Sequence, residues 1–299
     1  MLFTSFDGKE IFVHEWKNVE NVAGVVQIAH GMEEHAARYD RFAKELNAQG
    51  YVVVADDHRG HGDTDPETLG YCPGDMYKST IEDMAGLAGY YQEKYPGVPY
   101  ILFGFSYGSF LTQGFVETHP DLLDGAVIAG SARQNGLAVR AGLCLSKIGC
   151  AFKGESAPAV FVGNMVFGGY RKKFPDREFL SVDAANNEAY HSDPFCGVTS
   201  SYNFYRGFFR GMKGLYTKKA AKGLDKNLPL LLIAGAEDAV GGRKGMTKLY
   251  KFYQKQEIVD VGMYLIENSR HEFLNEEVNR EEAKSQIIPF IRRITRRNR

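Results

Sequence analysis

Short, uninterrupted apolar runs alternate with amphipathic segments along most of this chain, and this alternation limits the folds open to it. A strand buried on both faces of a sheet needs continuous rather than alternating apolarity. Buried strands that alternate with helices are typical of an α/β fold, with a mostly parallel central sheet and helices on both faces. The apolar runs lie at 24–30, 51–56, 100–105, 125–130, 228–235 and 262–267.

Two regions depart from this rhythm. The first 16 residues form two semi-alternating runs around Asp7-Gly8, which predicts an antiparallel hairpin at the sheet edge. Residues 131–225 contain no convincing buried strand, and a structureless loop of that length would be anomalous. We therefore expect a core formed by residues 1–130 and 226–299, with 131–225 inserted as a helical cap.

Composition excludes several classes of protein. The 299 residues carry 36 basic and 37 acidic side chains, so nothing indicates a nucleic-acid partner. The longest apolar runs have about eight residues, far fewer than a bilayer requires, and the N-terminus lacks the apolar region of a signal peptide. We therefore expect a soluble, cytoplasmic protein without a transmembrane segment.

Neither a metal nor a cofactor is expected from the motifs. The four cysteines show no CxxC pair and no histidine at zinc spacing. His58 and His61 stand close together, but no carboxylate–histidine cluster forms at ligand spacing around them. The phosphate-loop motif G-x-x-x-x-G-K-[ST] is absent.

The segment Gly104-Phe105-Ser106-Tyr107-Gly108 is the most informative motif. A G-x-S-x-G match alone is weak, but this one follows an apolar strand directly and leads into an amphipathic segment. That strand–turn–helix setting defines a nucleophile elbow, in which small residues let the sheet and the helix approach. Ser106 is therefore the candidate nucleophile, and the alternative is a glycine-rich turn with serine as helix N-cap.

Serine needs a base, and eight histidines compete for that role. His271 alone follows the last predicted strand, just before the final helix. A triad built on a nucleophile elbow runs in the chain order serine, acid, histidine. His271 is therefore the candidate base.

The acid should follow the strand that comes after the insertion. Glu237 and Asp238 end that strand, and we choose Asp238, with Glu237 as the local competitor. Asp238 would hold the His271 ring and stabilise its protonated form. The backbone N–H groups of Tyr107 and Met32 are the candidate donors to the oxyanion.

Five blocks of the chain together carry a family resemblance: HGMEEHAARYDRFAKELNAQGY, DDHRGHGD, GFSYGS, AGAEDAV and SRHEFLNE. With these blocks the chain resembles the α/β-hydrolase family of monoacylglycerol lipases and bacterial lysophospholipases over residues of about 1–130 and 226–299. This resemblance implies the same triad, the same oxyanion hole and a helical cap over the site.

The chain also departs from the family pattern at two positions. The family usually has histidine before the serine and a further glycine after the motif, where this chain has Phe105 and Ser109. Both positions border the elbow and the pocket, so they bear on substrate preference more than on the chemistry.

The expected function is hydrolysis of a lipid-like monoester, such as a monoacylglycerol or a lysophospholipid, through an acyl-enzyme. The alternatives are an esterase, thioesterase or aminopeptidase with a non-lipid substrate, and a non-catalytic protein that binds a small ligand. Residues 131–174 carry seven basic side chains and one acid, which suits an amphiphilic substrate and a transient contact with a membrane surface. Aromatic residues of the cap either line an acyl pocket or form plain core: Phe152, Phe161, Phe167, Tyr170, Tyr202, Phe204, Tyr205, Phe208 and Phe209.

Overall fold

The computed structural model describes residues 1–176 and 178–297, so the last two positions of the predicted core and one position of the predicted cap lie outside the described residues. Eight strands form one sheet in the order β1-β2-β4-β3-β5-β6-β7-β8. Each predicted apolar run coincides with a strand whose ends differ from the prediction by no more than two residues. The strands are β1 (Leu2–Thr4), β2 (Glu10–Trp16), β3 (Gly24–Ala29), β4 (Tyr51–Asp56), β5 (Tyr100–Phe105), β6 (Gly125–Ala129), β7 (Leu230–Gly235) and β8 (Val261–Ile266).

The sheet is parallel except at one edge. β1 and β2 form the predicted antiparallel hairpin, and β2 pairs antiparallel with β4. Every further pairing, from β4 across to β8, is parallel. All residues of β3, β4, β5, β6 and β7 are buried, as continuous apolarity predicts.

Ten α-helices surround or cover this sheet in the described part of the chain. One face packs against α1 and α10, and the opposite face packs against α2, α3 and α9, so the predicted α/β architecture is confirmed. The helices are α1 (Asp40–Asn47), α2 (Met76–Lys94), α3 (Tyr107–Thr118), α4 (Leu137–Lys153), α5 (Val160–Arg171), α6 (Ala184–Ser192), α7 (Tyr202–Gly214), α8 (Lys218–Ala221), α9 (Gly242–Lys255) and α10 (Arg280–Arg297).

Five of these helices, α4 to α8, lie between β6 and β7 in the region expected to form the cap. α7 is the central one, because it packs against both α4 and α2 and so joins this region to the core. Its aromatic residues Phe204, Tyr205 and Phe209 are buried. Among residues 1–176 and 178–297, no helix has the length and apolarity needed to cross a bilayer.

The parallel strands all end at the same edge of the sheet. The loops after β3, β5, β7 and β8 therefore meet there, where open α/β sheets bind their ligands. These are the four loops that carry the candidate site residues of the sequence.

Candidate active site

Ser106 lies in a sharp turn between β5 and α3. Its backbone has φ 51° and ψ −116°, a conformation that non-glycine residues rarely adopt and that costs about 1–3 kcal/mol. The flanking glycines make this turn feasible. A Cβ on Gly108 would overlap the carbonyl oxygen of Ala29, and one on Gly104 would overlap the side chain of Thr112. The turn has the close strand–helix approach that the motif predicts, and Ser106 is partly exposed to a cavity.

His271 and Asp238 lie side by side at the same edge. The Nδ1 atom of His271 is 3.0 Å from Oδ1 of Asp238, and both side chains are buried. The two atoms are at ion-pair distance without the alignment of a hydrogen bond. Burial lowers the pKa of His271, but the charge of Asp238 and the contact with it outweigh burial, so the pKa is raised overall.

Glu237 does not compete with Asp238 for this contact. Glu237 is exposed, whereas Asp238 is 4% exposed and its Oδ1 also accepts the N–H of Val240 at 2.8 Å. The structure thus brings Ser106, Asp238 and His271 to one edge of the sheet, with Ser106 and His271 in the wall of the same cavity.

Met32 and Tyr107, whose backbone N–H groups are the candidate oxyanion donors, both line this cavity. Tyr107 is the first residue of α3, so its N–H has no acceptor within the helix. Met32 lies in the loop after β3, and the N–H groups on both sides of it are already bound. Gly31 donates to Glu34 at 2.5 Å and Glu33 donates to the His61 ring at 3.4 Å, which fixes the loop that presents Met32.

The walls of the cavity are largely apolar and come from both the core and the predicted cap. The cavity is small, with a volume of about 60 Å³. Phe105 packs on the ring of His271, with centroids 4.7 Å apart, at the position where the family usually has histidine. Of the cap aromatics named from the sequence, Phe167, Tyr170 and Phe208 line this cavity, together with Phe179 and Tyr190. Tyr202, Phe204, Tyr205 and Phe209 are buried as core, whereas Phe152 and Phe161 are exposed, and the acyl pocket stays a prediction.

Part of the cavity wall is charged, which the sequence did not reveal. Glu34 and Glu272 form this part, and the guanidinium of Arg38 bridges them at 2.6 and 2.7 Å. Burial raises the pKa of Glu272, but the charge of Arg38 and the hydrogen bonds from it outweigh burial and keep the pKa below its usual range. Asn186 and Tyr190 of α6 contact the same arginine. The only sequence signal was proximity: Glu34 follows the Met32 loop and Glu272 follows His271.

The other histidines near the site form a packed cluster. The rings of His30 and His58 stack with centroids 4.0 Å apart, and His61 lies edge-on to His30 at 5.2 Å. Burial, together with the neighbouring His58, lowers the pKa of His61 to about 4, and the pKa of His30 is lowered well below its usual range mainly by burial. The Nδ1 atom of His58 also contacts Oδ2 of Asp56 at 2.7 Å, so the cluster is a packed support beneath the Met32 loop.

Two other groups of side chains have the ligand types of a metal site. His35, Asp193 and Cys196 form one, and His14, Asp57 and Asp63 form the other, each with ligand atoms within 4.8 Å of one another. In both groups the histidine contacts an aspartate directly, at 2.9 Å for His35–Asp193 and 3.2 Å for His14–Asp57. These contacts fix loops at the sheet edge, and the sequence indicated neither group.

Comparisons with known proteins identify the family of the chain. The family model described as "Serine aminopeptidase, S33" matches residues 20–278. The monoacylglycerol lipase of Mycolicibacterium smegmatis is 27% identical over 237 residues, which cover 79% of this chain and 78% of that protein. The monoglyceride lipase of Homo sapiens is 23% identical over 256 residues, covering 84% and 77% of the two chains.

A solved structure gives the same result for the whole chain. The highly thermostable carboxyl esterase from Bacillus coagulans, in complex with glycerol, superposes with a TM-score of 0.89 at 27% identity, covering 99% of this chain and 98% of that one. The family model spans most of the sequence, and the loops of the α/β sheet gather at one edge. The chain is therefore a hydrolase that belongs to the serine aminopeptidase S33 family and has the α/β-hydrolase fold.

Proposed function

We propose that this protein is a serine hydrolase that cleaves the carboxylic ester of a lipid-like monoester, such as a monoacylglycerol or a lysophospholipid. The observation that carries the proposal is the position of Ser106, on a strained elbow in the wall of an apolar cavity that His271 also lines. The Oδ1 atom of Asp238 is 3.0 Å from Nδ1 of that histidine. A protein that only binds a ligand has no physical need for these three groups together.

In the proposed reaction, the Oγ atom of Ser106 attacks the ester carbonyl while His271 takes its proton. The N–H groups of Met32 and Tyr107 stabilise the negative charge that develops on the carbonyl oxygen. His271 then gives the proton to the departing alcohol, which leaves an acyl group on Ser106. Water cleaves this acyl-enzyme by the same route, and Asp238 stabilises the protonated histidine in both halves.

The walls of the cavity support an amphiphilic substrate. Aromatic side chains such as Phe110, Phe167 and Phe208 suit an acyl chain, while Glu34 and Glu272 offer acceptors to the hydroxyl groups of a polar head. The names of the relatives point the same way, since two are monoacylglycerol lipases and the Bacillus coagulans esterase holds glycerol.

We also propose that residues 131–225 act as a cap over a core formed by 1–130 and 226–299, and that the cap contacts membrane surfaces transiently. Leu137, Ile148 and Phe152 of α4 are exposed at spacings of 11 and 4 residues, which puts them on one face of the helix. Phe161 at the start of α5 is exposed as well. The same segment, 131–174, carries seven basic side chains, and its one acid, Glu155, is paired with Arg206 at 2.7 Å.

The decisive experiment measures turnover of p-nitrophenyl esters across acyl lengths, with wild type and Ser106→Ala. We expect medium or long chains to be preferred and Ser106→Ala to lose at least about 10³-fold in kcat. Fluorophosphonate labelling of the folded protein should place the covalent adduct on Ser106.

Three results would count against the proposal. Turnover that survives Ser106→Ala would overturn the mechanism, and a preference for acetyl esters would overturn the lipid substrate. Faster cleavage of aminoacyl p-nitroanilides than of any ester would favour an aminopeptidase instead.

A further inference from the structure

A buried chain of hydrogen bonds connects the elbow to the far end of the cap region. The hydroxyl of Ser109 lies 2.6 Å from the carbonyl oxygen of Ser106 and 2.7 Å from the hydroxyl of Ser131. Gln113 donates to Ser131 at 2.9 Å, and the hydroxyl of Tyr216 donates to Gln113 at 2.6 Å. Ser109, Ser131 and Gln113 are fully buried.

The number of protons on each group fixes the donor-to-acceptor direction of this series of hydrogen bonds. A carbonyl oxygen only accepts, so the single hydroxyl proton of Ser109 points to Ser106. Ser131 must then donate to Ser109, because Ser109 has no second proton, and the amide of Gln113 supplies the donor to Ser131. The bonds therefore run from Tyr216 to the carbonyl of Ser106, and each donor polarises the next.

The receiving carbonyl belongs to the peptide that carries the candidate oxyanion donor. In a planar trans peptide the C=O of Ser106 and the N–H of Tyr107 point in opposite directions. The N–H groups of Ser109 and Phe110 bind the same carbonyl at 2.9 and 3.2 Å, so the Ser109 hydroxyl is its third and shortest contact. Bonds to the carbonyl fix the peptide plane and make its N–H a stronger donor.

We propose that Ser109 is a positioning residue for the oxyanion hole, acting through the Ser106–Tyr107 peptide and supported by Ser131, Gln113 and Tyr216. The inference rests on the proposed function, since it needs Ser106 as nucleophile and Tyr107 as donor. Glycine, which the family usually has where Ser109 stands, would offer no hydroxyl for this contact. The hydroxyl of Ser109 thus strengthens the Tyr107 N–H as an oxyanion donor by binding the carbonyl of the same peptide.

Ser109→Ala tests the proposal when paired oxo and thiono esters serve as substrates. The thiono ester carries sulfur in place of the carbonyl oxygen, and sulfur accepts hydrogen bonds weakly, so its cleavage depends little on the oxyanion donors. We expect Ser109→Ala to lower kcat for the oxo ester about three- to tenfold, with KM unchanged, and to lower the oxo-to-thiono rate ratio by the same factor. General damage to the fold would lower both rates and leave the ratio as it is.

Ser146→Ala is the matched control. Ser146 is equally buried, and its hydroxyl donates to the carbonyl of Gly142 at 2.8 Å within α4, away from the cavity. This variant should keep the wild-type ratio. Tyr216→Phe removes the first donor in this series of hydrogen bonds and decides the question if Ser109→Ala does not fold. We expect it to lower the oxo-to-thiono rate ratio about two- to threefold.

Fluorophosphonate labelling separates this inference from the proposed function. With the adduct on Ser106 in wild type, an unchanged oxo-to-thiono ratio in Ser109→Ala overturns only the role of Ser109. Absence of the adduct in folded wild type overturns the proposed function and this inference together.

Discussion

His271 is a buried imidazole whose pKa is nevertheless raised, because the neighbouring charge of Asp238 outweighs the effect of burial. The base must be neutral to accept the serine proton, so activity should rise with pH through the pKa of His271. In Asp238→Asn the charge is gone and burial dominates, so the rise should move to lower pH. We expect kcat to fall about 10³–10⁴-fold at the same time.

The pH profile of kcat/KM for a p-nitrophenyl ester measures both effects. Glu237→Gln is the control, since that neighbouring carboxyl is exposed and should leave rate and profile as in wild type. The acid would be assigned to another residue if the pH profile of Asp238→Asn coincided with that of wild type. The same conclusion would follow if Glu237→Gln lost more kcat/KM than Asp238→Asn.

Among individual residues, the sequence predicted the location of those whose positions follow from strand order. Ser106, Asp238 and His271 each end or follow a predicted strand, and parallel strands bring such residues to one edge. Their catalytic roles stay predictions. Arg38 and Glu272 were out of reach, because their contact joins positions 234 residues apart and nothing in either local pattern records it.

α5 presents different faces to the cavity and to solvent. Val166, Phe167 and Tyr170 line the cavity, whereas Phe161 is 65% exposed. If this outer face docks on lipid, Phe161→Ser should weaken binding to vesicles that contain anionic phospholipid about tenfold, as expected for withdrawing one aromatic anchor from an apolar surface. Co-sedimentation at low and high salt measures this, and salt should weaken binding further because the surrounding residues are basic.

Phe6→Ser is the matched control, because Phe6 is also 65% exposed but lies between β1 and β2, outside the predicted cap. Equal vesicle binding by both variants and wild type would rule out docking through α5. Better binding to neutral than to anionic vesicles would contradict the electrostatic part of the proposal.

The sequence predicted core elements far better than cap elements. Strands such as β5 and β7 are apolar throughout and fully buried, so composition alone locates them. In the region of α4 to α8, apolar side chains serve three purposes at once: core packing, cavity lining and exposure to solvent. Composition cannot separate these purposes, so the sequence indicated helices there without their bounds.

At the scale of the whole molecule, the predicted cap is joined to the Met32 loop through Glu33. Its backbone carbonyl accepts the N–H of Gly197 and the hydroxyl of Tyr190, both at 2.9 Å. Its carboxyl accepts the N–H and hydroxyl of Ser200 at 3.2 and 3.3 Å. Burial raises the pKa of Glu33 to about 7, although the Ser200 contacts and Arg171 act against it.

This pKa makes the stability of the junction depend on pH. The unfolded chain releases the Glu33 proton near pH 4.5 and the folded chain near 7, so the folded state binds more protons between these values. Stability should therefore fall as pH rises from about 4.5 to 7. Glu33→Gln keeps an acceptor for Ser200 and carries no charge, so it should flatten this slope and raise the melting temperature at pH 8 by about 2–4 °C.

Thermal unfolding of wild type and variants from pH 5 to 8 measures the effect. Burial raises the pKa of Glu117 to about 7 as well, so the single variant should remove part of the slope and Glu33→Gln with Glu117→Gln should remove more. Glu188→Gln on α6 changes an exposed carboxyl and should follow wild type at every pH. A slope that persists unchanged in the double variant would mean that other groups set the pH dependence, and that the carboxyl of Glu33 joins cap to core without sensing pH.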